Sequence, residues 1–161
     1  MPLTTVREFL DQHNIKYLVI SHSLAYTAQG IAALVHVSGK KLAKTVIVKI
    51  DGKLAMAVVP ASHHVDLALL KANAGASRVE LATEQEFKDK FPDCETGAMP
   101  PFGNLYGMAV FTDESLAGHD EITFNAGTHR ELMRMAWHDL DQLVNPTVTR
   151  LTSAGAVKSA A

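Results

Sequence analysis

The chain of 161 residues has little cysteine, tryptophan or tyrosine. It has one cysteine, Cys94, one tryptophan, Trp137, and three tyrosines. A single cysteine closes no internal disulfide, so this fold has to rest on packing, as in proteins of a reducing compartment. Charge of either sign is also modest. The 15 lysines and arginines stand against 17 aspartates and glutamates, for a formal net charge of −2. That balance excludes a protein that coats nucleic acid through a broad basic face. It leaves open the grip of one nucleic-acid end by a few lysines. No apolar run approaches the roughly 18 residues of a membrane span. The opening Met1-Pro2-Leu3-Thr4-Thr5 lacks the basic and apolar regions of a signal peptide. A cytoplasmic location is expected.

The catalytic signatures are just as sparse. There is no H-E-x-x-H and no C-x-x-C, which argues against a zinc site. The absence of G-x-S-x-G, of a Walker loop and of a dinucleotide fingerprint disfavours a serine hydrolase, an ATPase and a nicotinamide dehydrogenase. His63 and His64 with Asp66, or His119 with Asp120, offer ligand types without a recognised spacing. Cys94 has no histidine placed beside it by any motif.

What is present is a hydrophobic fraction of 47%, enough to build the core of one domain. The domain is expected over residues 1–152, with 153–161 as a loose tail. Thr5-Val6-Arg7-Glu8 fits a capping box and predicts a helix from Thr5 to Gln12. Tyr17–Ile20 reads as a strand. Thr27 is expected to cap a helix using Ile31, Leu34 and Val35. Two apolar runs, Leu42–Ile50 and Lys53–Val59, flank Asp51-Gly52, a strong hairpin signal. Ser62 is expected to cap a helix that stops before Gly75. Val79 and Leu81 suggest a short strand. Thr83-Glu84-Gln85-Glu86 is a second capping box, opening a helix to about Lys90. Leu105–Thr112 and Glu121–Asn125 read as strands. Residues 130–144 fit either one helix or a strand followed by a helix from about His138. This mixture predicts one α+β domain with a mixed, curved sheet flanked by helices.

Three places carry candidate chemistry. Within the first hairpin strand, the period of two puts Lys44 on the face of Val46, Val48 and Ile50. A lysine in register with an apolar row either snorkels to water or serves a pocket as a point charge for phosphate. Gly97-Ala98-Met99-Pro100-Pro101-Phe102-Gly103 is a rigid loop in which prolines fix the backbone and glycines permit close approach. It fits a pocket wall and fits a structural turn. His129, after Asn125-Ala126-Gly127-Thr128, stands at a strand end as a candidate acid, base or donor, or as an exposed turn residue.

The ordered set of Ala43-Lys44-Thr45, Asp51-Gly52, the Gly97–Phe102 loop and Phe124-Asn125-Ala126-Gly127-Thr128-His129 resembles the YbaK/ProX family of aminoacyl-tRNA deacylases, the prolyl-tRNA synthetase insertion-domain superfamily. The resemblance runs from about Val6 to Pro146. It implies hydrolysis of the ester joining a wrong amino acid to the 3′ end of a tRNA, without metal or cofactor. Lys44, Gly97 and His129 would then be the catalytic set. Ala98, Met99, Pro100, Pro101, Phe102, Gly127 and Thr128 would bind substrate, with Ile47 and Leu34 as further walls and Lys40 and Lys41 as further basic contacts. The implied partners are the acceptor end of a mischarged tRNA and a synthetase, with no DNA and no membrane. A small amino acid (alanine, serine, threonine or cysteine) is the expected cargo. The alternative is a module of the same fold that binds a tRNA end or a nucleotide without turnover.

Overall fold

The hairpin organises the sheet. Asp51 and Gly52 both hold positive φ, 50° and 86°, the backbone that a two-residue type I′ turn demands. The runs beside them pair antiparallel from Ala43↔Pro60 to Ile50↔Lys53. The Asp51 carboxylate also accepts from the amides of Ser77 and Arg78, at 2.9 Å each, which ties the turn to the next strand. These positions come from a computed structural model that describes residues 2–21, 42–92, 94–95, 97–128 and 131–152.

In chain order the described elements are α1 (Pro2–Gln12), β1 (Tyr17–Ser21), β2 (Leu42–Ile50), β3 (Lys53–Pro60), α2 (Leu67–Ala74), β4 (Val79–Leu81), α3 (Glu84–Phe87), β5 (Ala109–Asp113), α4 (Glu114–Ala117), β6 (Glu121–Asn125), β7 (Glu131–Ala136), α5 (Trp137–Val144) and β8 (Thr147–Thr149). The strands form one sheet in the order β1-β7-β6-β2-β3-β5-β8, with β4 also on β2. It is mixed: β2 runs parallel to β6, and β3 to β5, while the hairpin and the β1–β7–β6 set are antiparallel. This is the expected single α+β domain.

Strand alternation divides the apolar residues between two cores. Odd positions of β2, Ala43 and Ile47, join Met56, Val58, Phe102, Phe124 and the α1 residues Val6 and Leu10 in the larger one. Even positions face the smaller one, where Val48, with Val46 and Ile50 against it, packs on Ala57, Val59, Val65 and Leu70. Each fully buried leucine or valine contributes about 1.5–3 kcal/mol, so both faces are firmly specified. A buried carboxylate closes the far edge. Asp113, 2% exposed, accepts from the amides of Leu151 (2.8 Å) and Thr152 (3.1 Å) and from Ser115.

Several sequence expectations shift. Helix α1 begins at Pro2, so Thr5 lies inside it rather than at its cap; proline suits the first helical turn, where its missing N–H costs no bond. The cap of α2 is Asp66, whose carboxylate takes the amides of Ala68 and Leu69, and not Ser62. The strand expected from Leu105 starts at Ala109, because Gly103–Leu105 form a 3₁₀ turn. Of the two readings of residues 130–144, the strand followed by a helix is the observed one. Strand β8, beyond Pro146, was not expected; its three residues carry too little pattern. The Thr83 capping box holds in full. The helix expected after Thr27 and the tail at 153–161 lie outside the described residues.

Candidate active site

The site grows from a fork in the sheet. On one edge, β2 has two neighbours in succession. Strand β6 pairs at Leu42↔Thr123 and Ala43↔Phe124. Strand β4 takes over at Val48↔Leu81. Between them, among the described residues, no strand pairs with that edge. Lys44 sits where β6 departs.

Its register matches the sequence expectation. Lys44 pairs with Val59, on the face of Val46, Val48 and Ile50. The side chain is half-buried, and burial pushes its ammonium below the ordinary lysine value of 10.5. Desolvation disfavours the charged form of a lysine, and a nearby carboxylate would oppose that. Among the described residues no carboxylate does. The same face carries two polar residues that motif reading left without a role. Thr123 pairs with Leu42, and Asn125, two residues further along β6, shares its face. Both are nearly buried, at 3% and 7% exposure. Polar residues alternating with Ile122 and Phe124 were the signal for them.

The glycine–proline loop docks against the end of β6. The Gly127 amide donates to the Ala98 carbonyl (2.9 Å), the Glu95 amide donates to the Gly127 carbonyl (2.8 Å), and the Ala98 amide turns back to Glu95 (3.0 Å). Gly97 and Gly127 hold φ of 85° and 102°, conformations that side chains resist. The following turn is tied by Asn125 Nδ2 donating to the Thr128 carbonyl (3.3 Å) and Thr128 Oγ1 donating to Glu131 Oε1 (3.3 Å). Lys44, Ala98, Gly97, Gly127 and Thr128 are thus joined by β2, β6 and three backbone bonds.

The rest of the loop faces inward. Ala98, Met99, Pro100, Pro101 and Phe102 are buried and Gly97 is exposed. Phe102, fully buried, packs edge-on to Phe124 (5.6 Å between centroids) and Phe9 (6.1 Å). Met99 joins the same core. The far end is pinned at Gly103, where an added Cβ would sit 2.5 Å from both the Met108 carbonyl and Val110 Cγ2. The amides of Ala98 and Gly127 are spent on the loop itself. Among the described residues no backbone acceptor takes the Gly97 amide.

His129, Leu34, Lys40 and Lys41 lie outside the described residues. His63 shares a 3.0 Å hydrogen bond with Ser62. No group of three or more His, Cys, Asp and Glu that could hold a metal occurs among the described residues. Pockets of about 500 and 560 Å³ lie elsewhere, at the hairpin end of β3 and beside β1 and β7. Among the described residues no helix is long and apolar enough to cross a membrane.

Comparison with known proteins points to one chemistry. The family model described as the aminoacyl-tRNA editing domain matches residues 22–143. A proline–tRNA ligase of Bacillus mycoides (strain KBAB4) is 31% identical over 87 residues, 54% of this chain and 15% of the ligase. A proline–tRNA ligase of Bacillus cereus (strain AH187) matches to the same extent. The chain therefore spans a small part of the ligases it resembles. The fold of a candidate trans-editing enzyme for prolyl-tRNA synthetase superposes with a TM-score of 0.81 at 22% identity, covering 95% of this chain and 98% of that one. A structure described only as a hypothetical protein gives 0.83 at 21%, covering 92% and 99%.

Proposed function

This chain belongs to the aminoacyl-tRNA editing domain family, and from that premise we propose that it hydrolyses the ester of mischarged aminoacyl-tRNA carrying a small amino acid, acting in trans. The observation that carries the reading is Lys44. It is a half-buried cation beside a fork in the sheet, with no carboxylate partner among the described residues. A fold pays to desolvate a charge. A ligand that brings the countercharge recovers that cost on binding, and the terminal phosphate of a tRNA acceptor end is such a ligand.

In the proposed reaction Lys44 anchors the terminal nucleotide. Water attacks the ester carbonyl, the bond to the ribose oxygen breaks, and the ribose oxygen leaves with a proton. The neighbouring ribose hydroxyl is the group placed to relay that proton. The Gly97 amide meets the developing oxyanion, and its lack of a side chain lets the carbonyl approach. His129, next to Thr128 in the chain, is the further catalytic candidate. Met99, Pro100, Pro101 and Phe102 act by holding Gly97 and Ala98 in place from behind. An aminoacyl ester is already activated, so a positioned water and a few donors supply most of the rate; we propose that no metal takes part. Such a second hydrolytic site is useful because a synthetase pocket rejects a smaller apolar analogue by only about 1–3 kcal/mol.

The test is a panel of tRNAs mischarged with alanine, serine, threonine and cysteine, assayed with wild type and Lys44→Ala, with chelator added to one arm. Deacylation of at least one by wild type, unaffected by chelator and lost in the variant, is expected. No hydrolysis above buffer, with acceptor-end binding intact, would instead establish a binding module. We place the protein in the cytoplasm, where charged tRNA is found.

A further inference from the structure

Among the described residues, the fork leaves both main-chain groups of one residue, Thr45, without a strand partner. Backbone groups along β2 alternate in direction. Even-numbered residues address β3, as the bond from the Ala61 amide to the Leu42 carbonyl (2.7 Å) indicates. Odd-numbered residues address the other edge, as the bond from the Ala82 amide to the Ile47 carbonyl (3.0 Å) indicates. On that edge β6 pairs as far as Ala43↔Phe124, and β4 begins at Val48↔Leu81. Thr45 falls between them. Its N–H and C=O point into the fork, and among the described residues no strand takes either. Main-chain groups are obligatory hydrogen-bonding groups, and Thr45 is half-buried rather than exposed. From Ala43 to Ile47 is four strand steps, about 13 Å, room for one residue-sized group.

The substrate has the complementary shape. An aminoacyl ester carries an ammonium and a carbonyl on one carbon, the N–Cα–C=O unit of a peptide residue. In an antiparallel rung two residues exchange N–H···O=C bonds through that unit. We propose that the aminoacyl moiety of the substrate completes the missing rung on Thr45. Its α-ammonium donates to the Thr45 carbonyl, and its ester carbonyl accepts from the Thr45 amide. This rests on the deacylase reading above and adds to it the residue that positions the scissile carbonyl. Lys44 and Thr45 then divide the substrate. A strand's side chains stand perpendicular to the sheet and its main-chain bonds lie within it, so Lys44 reaches the nucleotide while Thr45 holds the amino acid. The rung reads only atoms common to every amino acid, which leaves selection among side chains to the walls of the cleft.

Proline at position 45 is the sharpest probe. It removes the N–H aimed into the fork, and the β2–β3 ladder, which uses even-numbered residues, stays whole. In an ordinary central strand proline breaks the ladder. Thr45→Pro is expected to melt near wild type and to lose about a hundredfold in kcat/KM, the scale of one oxyanion-type donor. Should the proline variant not fold, the chain carrying a main-chain ester in place of the Thr45 amide removes the same N–H and decides the matter. Relative to the spontaneous rate of each ester, wild type should also accelerate hydrolysis of a deaminated acyl-tRNA at least tenfold less than that of the free-amine substrate, since the deaminated group has no N–H for the Thr45 carbonyl. A folded Thr45→Pro or ester variant with wild-type rates, or equal acceleration over the spontaneous rate on deaminated and free-amine substrates, overturns the rung and leaves the deacylase reading intact. Wild type inactive on every mischarged tRNA overturns both.

Discussion

Lys44 and Lys49 lie five residues apart on one strand and meet opposite fates. Lys49, on the odd-numbered face, reaches Glu86 at 2.6 Å and Glu80 at 3.5 Å. Glu80 is its direct cross-strand neighbour. The hydrogen bond and charge of Glu86 raise the Lys49 ammonium above its ordinary value. Lys44, on the even-numbered face, is desolvated without a carboxylate among the described residues and is shifted the other way. The hairpin end of β2 is closed: strand on both edges, turn tied by Asp51, cation neutralised. At the fork end, among the described residues, one edge lacks a strand and the cation lacks a carboxylate. Residue type alone does not mark function. A cation whose countercharge is supplied inside the fold is structure, and one without a countercharge among the described residues is the place where we propose that a ligand brings it.

The largest expected break in this comparison is in activity. Lys44→Ala should lower kcat/KM on a mischarged tRNA by about a hundredfold, the scale of one lost electrostatic contact to the reacting group. Lys49→Ala should leave the rate within a factor of two, so equal losses from both would erase the contrast. Next comes the anchor of the glycine–proline loop. Gly103→Ala forces a methyl against the Met108 backbone and Val110, and overpacking of that kind costs about 1–3 kcal/mol. A calorimetric melt should show the loss, and a melt equal to wild type would mean that the loop end yields easily.

The third expectation concerns Lys44 and pH. Its folded-state pKa is lowered, so as pH rises the folded protein releases this proton before the unfolded chain does. The buried charge is therefore a penalty at neutral pH. It lifts as pH rises through the folded pKa toward 10.5. Lys44→Met should melt higher than wild type at pH 7 while being inactive, with the advantage shrinking at alkaline pH. Activity of wild type should fall on the alkaline side earlier than an ordinary lysine would dictate, and Lys44→Arg should move that limb upward. The smallest effect belongs to Glu86. The hydrogen bond from Lys49 holds its carboxyl near 2, against an ordinary 4.5. Its contribution is present above pH 4.5 and is lost as pH falls toward 2. Urea midpoints should decline over that window in wild type and stay flatter in Glu86→Gln. Because Glu86 is solvent-exposed, the change should be slight.

Much of this was legible in the chain. The Asp51-Gly52 hairpin, the parity of Lys44 with Val46 and Val48, and the Thr83–Glu86 box are local patterns, fixed by turn chemistry and by the two-residue strand period. The loop around Gly97 was legible as rigid but not as to which way it faced. Burial of Met99 and Phe102 depends on Phe9 and Phe124, which are distant in sequence. The pinning of Gly103 depends on its fit against Val110. Buried Thr123 and Asn125 gained meaning only when β6 came to lie beside β2.

The sequence by itself determined the hairpin, the register that sets Lys44 in an apolar row, and the positions where glycine and proline constrain the backbone. Each follows from interactions between residues near one another in the chain. Only the tertiary structure decided that β6 leaves β2 at Ala43 and β4 joins it at Val48. At that fork, among the described residues, one lysine has no countercharge and one threonine no main-chain partner. Strand neighbours in a mixed sheet are chosen by packing among segments distant in the chain, as Tyr17 and Met135 are, and no local pattern in β2 records which edge will be left open.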